Sequence, residues 1–304
     1  MQFIPRVGPD EQAMKHFCRT CLWYLRRARA YVANRRDCWV TPSAAAFFNS
    51  VCENHFDPET YIDVLPQYSL IYLCVPKAAS STIRSVLSSL EVGTPPGPPL
   101  ALLYNRRCTG LRSPRLAGYS VFHQLAKSPE ALRFTFVRNP YARLLSAWTN
   151  RFQGKPLIDG EPSITAYRAY RSAISRSLPD GVDQTLSFPQ FVEFATATAE
   201  QRIDIHWQQQ HDFVLAPGLD LNLIGKVETF KTDFALVLNH IGLSSDVRDK
   251  YSNLQVNESM NGSWRSYYSN GLADRVYRAY ERDFDIFGYP RGLESIRSER
   301  RVAC

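Results

Sequence analysis

Two short stretches of the sequence place cationic and hydroxyl side chains where a strand gives way to a helix. In the first, residues 69–75 form a continuous β-branched and aromatic run, which predicts a buried parallel strand. The residues that follow are Pro76, Lys77, Ala78, Ala79, Ser80, Ser81 and Thr82, and helical spacing continues to residue 90. Small residues in such a turn leave backbone N–H groups free to converge on an anion, and the helix N-terminus adds positive potential. The pattern predicts a phosphate-binding turn.

The second stretch begins with residues 133–137, a predicted strand that ends at Arg138. Asn139 is a suitable helix cap, and Pro140 occupies the favoured first position of a helix. Ser146 lies two turns inside that helix, so Arg138 and Ser146 offer a bidentate cation and a hydroxyl to one side of a pocket. This pair suits a terminal phosphate. Taken alone, each stretch is also compatible with an ordinary turn and structural side chains.

The order of residues in the first turn disfavours one class of enzyme. The loop G-x-x-x-x-G-K-[ST] of ATP and GTP hydrolases is absent, and Lys77 precedes the small residues instead of following them. A nucleoside triphosphatase is therefore not expected.

Together the two stretches resemble the donor-binding motifs of sulfotransferases that use 3′-phosphoadenosine-5′-phosphosulfate (PAPS). The resemblance is closest to carbohydrate sulfotransferases such as the chondroitin 4-O and heparan 2-O enzymes, and it covers roughly residues 65–290. Three later segments are similar to landmarks of the same family, namely His206-Trp207, residues 224–230 and residues 280–289. The C-terminal R-K-G-x-x-G-D-W-K element of cytosolic aryl and steroid sulfotransferases is missing, which argues against that branch.

The resemblance implies which residues hold the donor. The 5′-phosphosulfate is expected at Lys77, Ala78, Ala79, Ser80, Ser81 and Thr82, and the 3′-phosphate at Arg138 and Ser146. Adenosine 3′,5′-bisphosphate is then the product, and no metal is expected.

Sulfuryl transfer needs positioning of donor and acceptor, charge neutralisation on the departing phosphate, and a base. Lys77 is the candidate for the group that stabilises the charge on the leaving oxygen. The placement of His123 after a β-like stretch resembles that of the catalytic histidine in the 2-O branch, so His123 is the candidate for the base that takes the acceptor proton. His206 is the competing candidate. The expected reaction is sulfation of a sugar hydroxyl. The alternatives are a phenol, alcohol or lipid acceptor, or a protein that binds adenosine bisphosphate or an anionic polymer without turnover.

Alternating strands and helices imply an α/β fold with a central, mostly parallel sheet flanked by helices. Residues 221–227 are the third strand candidate, with helices predicted near 232–241 and 271–287. The family resemblance implies a P-loop-NTPase-like sulfotransferase domain over residues 66–304. Residues 1–65 are predicted to be an N-terminal helical appendage.

The formal charge of +7 over 304 residues predicts an anionic partner without identifying it. Arginines near the start, interleaved with Trp23, Tyr24 and Tyr31, are compatible with a nucleic-acid or membrane face, although a solvated helix is the plainer interpretation. No nucleic-acid partner is predicted. No apolar run approaches the ~18 residues of a membrane span, and the seven cysteines are scattered. A reducing, cytoplasmic location is the expectation.

Overall fold

The computed structural model describes residues 9–54, 57–93, 102–154, 162–174, 186–201, 203–245, 248, 251 and 264–293. Its sheet contains β1 (Ile62–Leu65), β2 (Leu70–Leu73), β3 (Leu132–Val137) and β4 (Leu223–Lys226), in that spatial order. Strand β1 pairs antiparallel with β2, whereas β2, β3 and β4 run parallel. The predicted mostly parallel sheet is confirmed. Its antiparallel edge strand lies within the range predicted as an appendage.

Helices connect and flank these strands. Those of the described part of the chain are α1 (Pro9–Val40), α2 (Pro42–Asn54), α3 (Pro58–Tyr61), α4 (Ser80–Val92), α5 (Arg106–Thr109), α6 (Pro114–Ala117), α7 (Tyr119–Lys127), α8 (Pro140–Arg151), α9 (Pro162–Ile174), α10 (Phe188–Ala197), α11 (His211–Val214), α12 (Phe230–His240) and α13 (Asn270–Ile286). The helix after the first turn begins at Ser80, slightly earlier than its apolar spacing suggests.

The sheet separates two hydrophobic layers, as the alternation along β2 shows. Leu70 and Tyr72 belong to a large cluster that includes residues of α4, α8, α10, α12 and α13. Ile71 and Leu73 point the other way, into a smaller cluster with α2 and α7. Because strand side chains alternate between faces, full burial of β2 requires helices on both sides.

The parallel strands bring their carboxyl ends to one edge of the sheet, and Gly225 keeps β4 close to β3. Gly225 lies opposite Phe136 in the pairing register. A Cβ atom at position 225 would lie 2.6 Å from Cζ of Phe136, inside any normal contact distance. The Phe136 ring also packs against Phe230, with centroids 5.2 Å apart, so it has little room to move aside. Glycine is therefore required for this close approach.

The segment before His123 is helical, so the β-like assignment of that segment is wrong. Tyr119–Lys127 forms α7, in which Phe122 and Ala126 are buried one turn apart. Burial at that spacing fits a helix packed by one face against the smaller hydrophobic layer.

Candidate functional site

The turn after β2 has an unusual backbone. Lys77 and Ala79 adopt left-handed conformations, with φ values of 67° and 58°. Such a conformation costs a non-glycine residue about 1–2 kcal/mol. Ala79 caps α4 without a side-chain hydrogen bond. The N-terminal N–H groups of α4, which have no intrahelical acceptor, therefore open onto this turn.

The hydroxyl side chains of the turn differ in exposure. Ser80 and Thr82 are buried, and Ser81 is half-buried. The Oγ atom of Ser80 lies 3.4 Å from Oη of Tyr104. The Tyr104 ring stacks on the guanidinium of Arg84, whose carbon lies 4.5 Å from the ring centroid.

A buried ion pair anchors α4 to the edge strand. Nε of Arg84 donates to Oδ2 of Asp63 at 2.7 Å, and the two side chains are 2% and 0% exposed. Arg106 donates to the other carboxylate oxygen, also at 2.7 Å. A carboxylate with no exposed surface requires such charge-assisted bonds. The pair therefore fixes α4, and with it the turn, against β1.

Arg138 joins the second motif to the turn. Its Nη1 atom lies 3.4 Å from the carbonyl oxygen of Lys77. Gln210 holds the Arg138 backbone from both sides, because its Oε1 accepts from Arg138 N at 2.9 Å and its Nε2 donates to Arg138 O at 2.8 Å. Burial lowers the pKa of the Arg138 guanidinium, and the nearby Glu228 carboxylate opposes that shift. Ser146 is half-buried on α8.

Asp283 on α13 fixes the segment that carries Gln210. Its carboxylate is fully buried and accepts from the backbone N–H groups of Gln210 and His211 at 2.7 and 2.9 Å. His211 adds a side-chain contact, with Nδ1 at 2.8 Å from Oδ1 of Asp283. The hydroxyl of Tyr280 donates to the carbonyl of Trp207. The landmark at 280–289 therefore positions the segment that holds Arg138.

Arg143 ties the same segment to the turn. Its guanidinium is fully buried and donates to the carbonyl oxygens of Pro76 at 3.1 Å, Ile205 at 2.8 Å and Gln208. Burial lowers the pKa of Arg143 to about 10, so the group remains a cation at neutral pH. One side chain of the second motif thus sets the spacing between the turn and the chain around His206.

His206 and Asp204 form a hydrogen-bonded pair beside the turn. Nδ1 of His206 lies 2.6 Å from Oδ1 of Asp204, which also accepts from the His206 backbone N–H at 2.9 Å. Arg151 holds the other carboxylate oxygen at 3.2 Å. A carboxylate at Nδ1 places the proton of the neutral ring there, which leaves Nε2 as the acceptor.

The electrostatics of this pair depend on the turn. Burial lowers the pKa of His206, Asp204 opposes that shift, and the charges of Arg151 and Lys77 lower it further. Burial alone would raise the pKa of Asp204, but the hydrogen bonds from His206 outweigh it and lower that pKa. The His206 ring is therefore neutral at neutral pH, and it is in electrostatic contact with Lys77.

Comparison with known protein families gives a match over the part of the chain that carries this arrangement. The model of the sulfotransferase family matches residues 60–290, a range that holds both motifs and the Asp204–His206 pair. The chain belongs to the sulfotransferase family. That assignment confirms the family predicted from the paired motifs.

Relatives of this family member are about one quarter identical to it. Carbohydrate sulfotransferase 12 of Xenopus laevis is 26% identical over 280 residues, which cover 82% of this chain and 64% of the relative. Carbohydrate sulfotransferase 11 of Danio rerio is 25% identical over 232 residues, with coverages of 73% and 65%. The chain thus spans a little less than two thirds of the length of these relatives. No solved structure gives a significant match.

The two candidate bases occupy different surroundings in this member of the family. His123 is half-buried on α7, where its ring centroid lies 5.0 Å from that of Phe47. The ring of His206 is hydrogen-bonded to Asp204 and is in electrostatic contact with Lys77. The role of either histidine remains a prediction that the comparisons do not test.

Several residues of the site escaped sequence reasoning. Arg143 stands within the second motif, but nothing local distinguishes a buried clamp from a surface cation. Gln210 and Asp283 act through backbone groups, which leave no compositional pattern. Asp204, two residues before His206, was the one available signal, because a carboxylate at that spacing can orient an imidazole.

None of the described helices is both long and apolar enough to cross a membrane.

Proposed function

We propose that this chain is an O-sulfotransferase that moves the sulfuryl group of PAPS to a hydroxyl group of a carbohydrate. One observation carries the proposal: Arg138 contacts the carbonyl of Lys77, which joins the two donor motifs at one edge of the sheet. The names of the relatives, carbohydrate sulfotransferases 11 and 12, support a sugar acceptor.

The turn and the second motif divide the donor between them. The N–H groups of the turn, Lys77 and the hydroxyls of Ser80, Ser81 and Thr82 receive the 5′-phosphosulfate. Arg138 and Ser146 receive the 3′-phosphate. The buried guanidinium of Arg138 favours this assignment, because a desolvated cation gains most from a doubly charged phosphate. The order of strand, turn and helix matches the P-loop-NTPase-like arrangement that we propose for the domain.

The reaction transfers one group without oxidation or reduction. The acceptor oxygen bonds to sulfur while the bond from sulfur to the 5′-phosphate oxygen breaks, and that oxygen keeps the electron pair. Lys77 neutralises the charge that develops there. The acceptor proton moves to Nε2 of His206. The products are a sulfate ester and adenosine 3′,5′-bisphosphate.

We assign the base to His206 and not to His123. Asp204 holds the His206 ring through Nδ1, and this orientation leaves Nε2 able to accept a proton. As the ring takes that proton, the Asp204 carboxylate stabilises the imidazolium. His123 has an aromatic neighbour, Phe47, and no such partner among the described residues.

Transfer of radiolabelled sulfate from PAPS to a panel of desulfated glycans tests the proposal. We expect label in at least one glycan, and we expect Lys77→Ala to abolish it. Lys231→Ala is the matched control, because Lys231 is exposed on α12 and belongs to neither motif.

Two results would contradict the proposal in different ways. Binding of adenosine 3′,5′-bisphosphate without transfer to any acceptor would make the chain a nucleotide-binding protein. Transfer confined to phenols, alcohols or lipids would keep the chemistry and refute the sugar acceptor.

A further inference from the structure

Helix α1 exposes an unusual amount of apolar surface between residues 24 and 40. Trp39 is 87% exposed, Val32 67% and Tyr31 62%. Leu25 and Tyr24 on the same helix are 55% and 50% exposed. Isolated exposed apolar residues are common on soluble proteins, but a group of large ones along a single helix marks an interaction surface.

The opposite face of α1 is fixed to the protein. Nη1 of Arg26 donates to the carbonyl of Gly110 at 3.1 Å. The side-chain amide of Asn34 donates to the Arg115 carbonyl and accepts from Tyr119 N, both at 2.9 Å. Asp37 accepts from the backbone N–H of Ser120 at 3.0 Å. These long-range bonds prevent the helix from turning its apolar side inward.

The charged side chains on the exposed face of α1 between residues 24 and 40 are all positive. At 3.6 residues per turn, Tyr24, Leu25, Tyr31, Val32 and Trp39 form one stripe. Arg27 flanks the stripe on one side, Arg29 and Arg36 on the other, and Arg35 lies within it. The sole acidic residue from 24 to 40 is Asp37, which is 2% exposed and faces the protein.

We propose that this face of α1, residues 24–40, binds the surface of an anionic lipid bilayer, with the helix axis parallel to the membrane. Apolar and aromatic side chains enter the boundary between headgroups and acyl chains, and flanking arginines contact the phosphates. A second copy of the chain is a poor occupant, because its arginines would face these arginines without exposed carboxylates between them. The inference goes beyond the proposed function, since it concerns attachment and not the reaction.

Vesicle flotation of the full chain tests the inference directly. We expect binding to vesicles of equimolar phosphatidylserine and phosphatidylcholine, weak binding to phosphatidylcholine alone, and release at high salt. Each arginine at an anionic surface contributes about fivefold in partitioning, so Arg29→Gln with Arg35→Gln should weaken binding about 25-fold. Val32→Ser with Trp39→Ser should abolish binding.

Matched controls separate this face from general stickiness. Arg275→Gln with Arg278→Gln removes two exposed arginines from α13, and Leu236→Ser removes a side chain that is 52% exposed on α12. These variants should bind vesicles as the unaltered chain does. Sulfate transfer to a dissolved acceptor should be unchanged in every variant, since α1 lies outside both donor motifs.

Three results would overturn the inference. The first is no binding to anionic vesicles. The second is equal binding of the α1 variants and the controls. The third is a dimer in sedimentation equilibrium that Val32→Ser with Trp39→Ser dissociates, because the face would then be covered by a second copy.

Discussion

Replacing Asp204 with asparagine tests the proposed base through the residue that orients it. The side chain keeps its size, but it loses the charge that lies 2.6 Å from Nδ1 of His206. The amide can present its N–H₂ group to Nδ1 and so favour the tautomer with the proton on Nε2. That tautomer cannot accept the acceptor proton at the atom that we propose.

The size of the effect follows from the lost interaction. A hydrogen bond to a charged group is worth about 1.5–3 kcal/mol. If this energy is realised when His206 becomes an imidazolium during transfer, kcat falls about 10- to 150-fold. The larger loss of about 10²–10⁴-fold applies to removal of the base itself. A loss in the lower range reports the lost charge interaction alone, whereas a loss that approaches removal of the base shows that the His206 ring has also adopted the tautomer with the proton on Nε2.

The pH profile gives a second readout, and its direction is fixed by the charges around His206. The base works only when neutral, so activity is lost as pH falls through the pKa of His206. Asp204 raises that pKa, whereas burial, Arg151 and Lys77 lower it. Without the Asp204 carboxylate the pKa decreases, and the acid limb of kcat/KM moves to lower pH.

The assay is initial-rate sulfate transfer from PAPS across the acid range, with Asp274→Asn as control because Asp274 is 54% exposed on α13. Affinity for adenosine 3′,5′-bisphosphate should stay close to that of the unaltered chain, which excludes global damage. An unchanged kcat, or an acid limb that moves to higher pH, would show that Asp204 does not orient the base.

Three further predictions concern the base, the donor and the fold. His206→Ala should lower kcat by about 10²–10⁴-fold, whereas His123→Ala should leave kcat near that of the unaltered chain. Steady-state kinetics measures both values. A larger loss for His123→Ala than for His206→Ala would show that His123 is the base. Arg138→Gln should weaken the binding of adenosine 3′,5′-bisphosphate by about 10- to 150-fold, as measured by calorimetric titration. Unchanged affinity would show that Arg138 does not belong to the phosphate site. Arg84→Met should lower the free energy of unfolding by about 3–5 kcal/mol in urea, since Asp63 loses a buried partner, and a loss below 1 kcal/mol would contradict that role.

The parts of the fold that rest on local pattern could be predicted from the sequence. Strand β2 is a continuous apolar run, β3 is rich in aromatic and β-branched residues, and Pro140 marks the start of α8. The antiparallel edge strand was missed because Asp63 interrupts its apolar residues. That carboxylate is tolerated inside only through Arg84 and Arg106, which come from later in the chain.

The residues of the candidate site also fall into those that local sequence pattern predicts and those that it does not. The turn and Arg138 follow from sequence because each ends a recognisable strand. Arg143 and Gln210 do not, since their partners are backbone groups more than 60 positions away. The sequence favours His123 because its placement, after a β-like stretch, resembles that of the catalytic histidine in the 2-O branch. Tertiary packing of Phe122 and Ala126 produces a helix instead.

The left-handed residues of the turn have a consequence for how the donor is captured. Lys77 and Ala79 hold a conformation that neither prefers, so the surrounding fold must impose the shape of the turn. The conformational entropy of this segment is therefore lost during folding and not when the nucleotide arrives. Association with the donor then requires no slow ordering step. Since the proposed nucleotide would bind only the folded turn, it would stabilise the whole domain by about 2.7 kcal/mol at a concentration one hundred times its Kd.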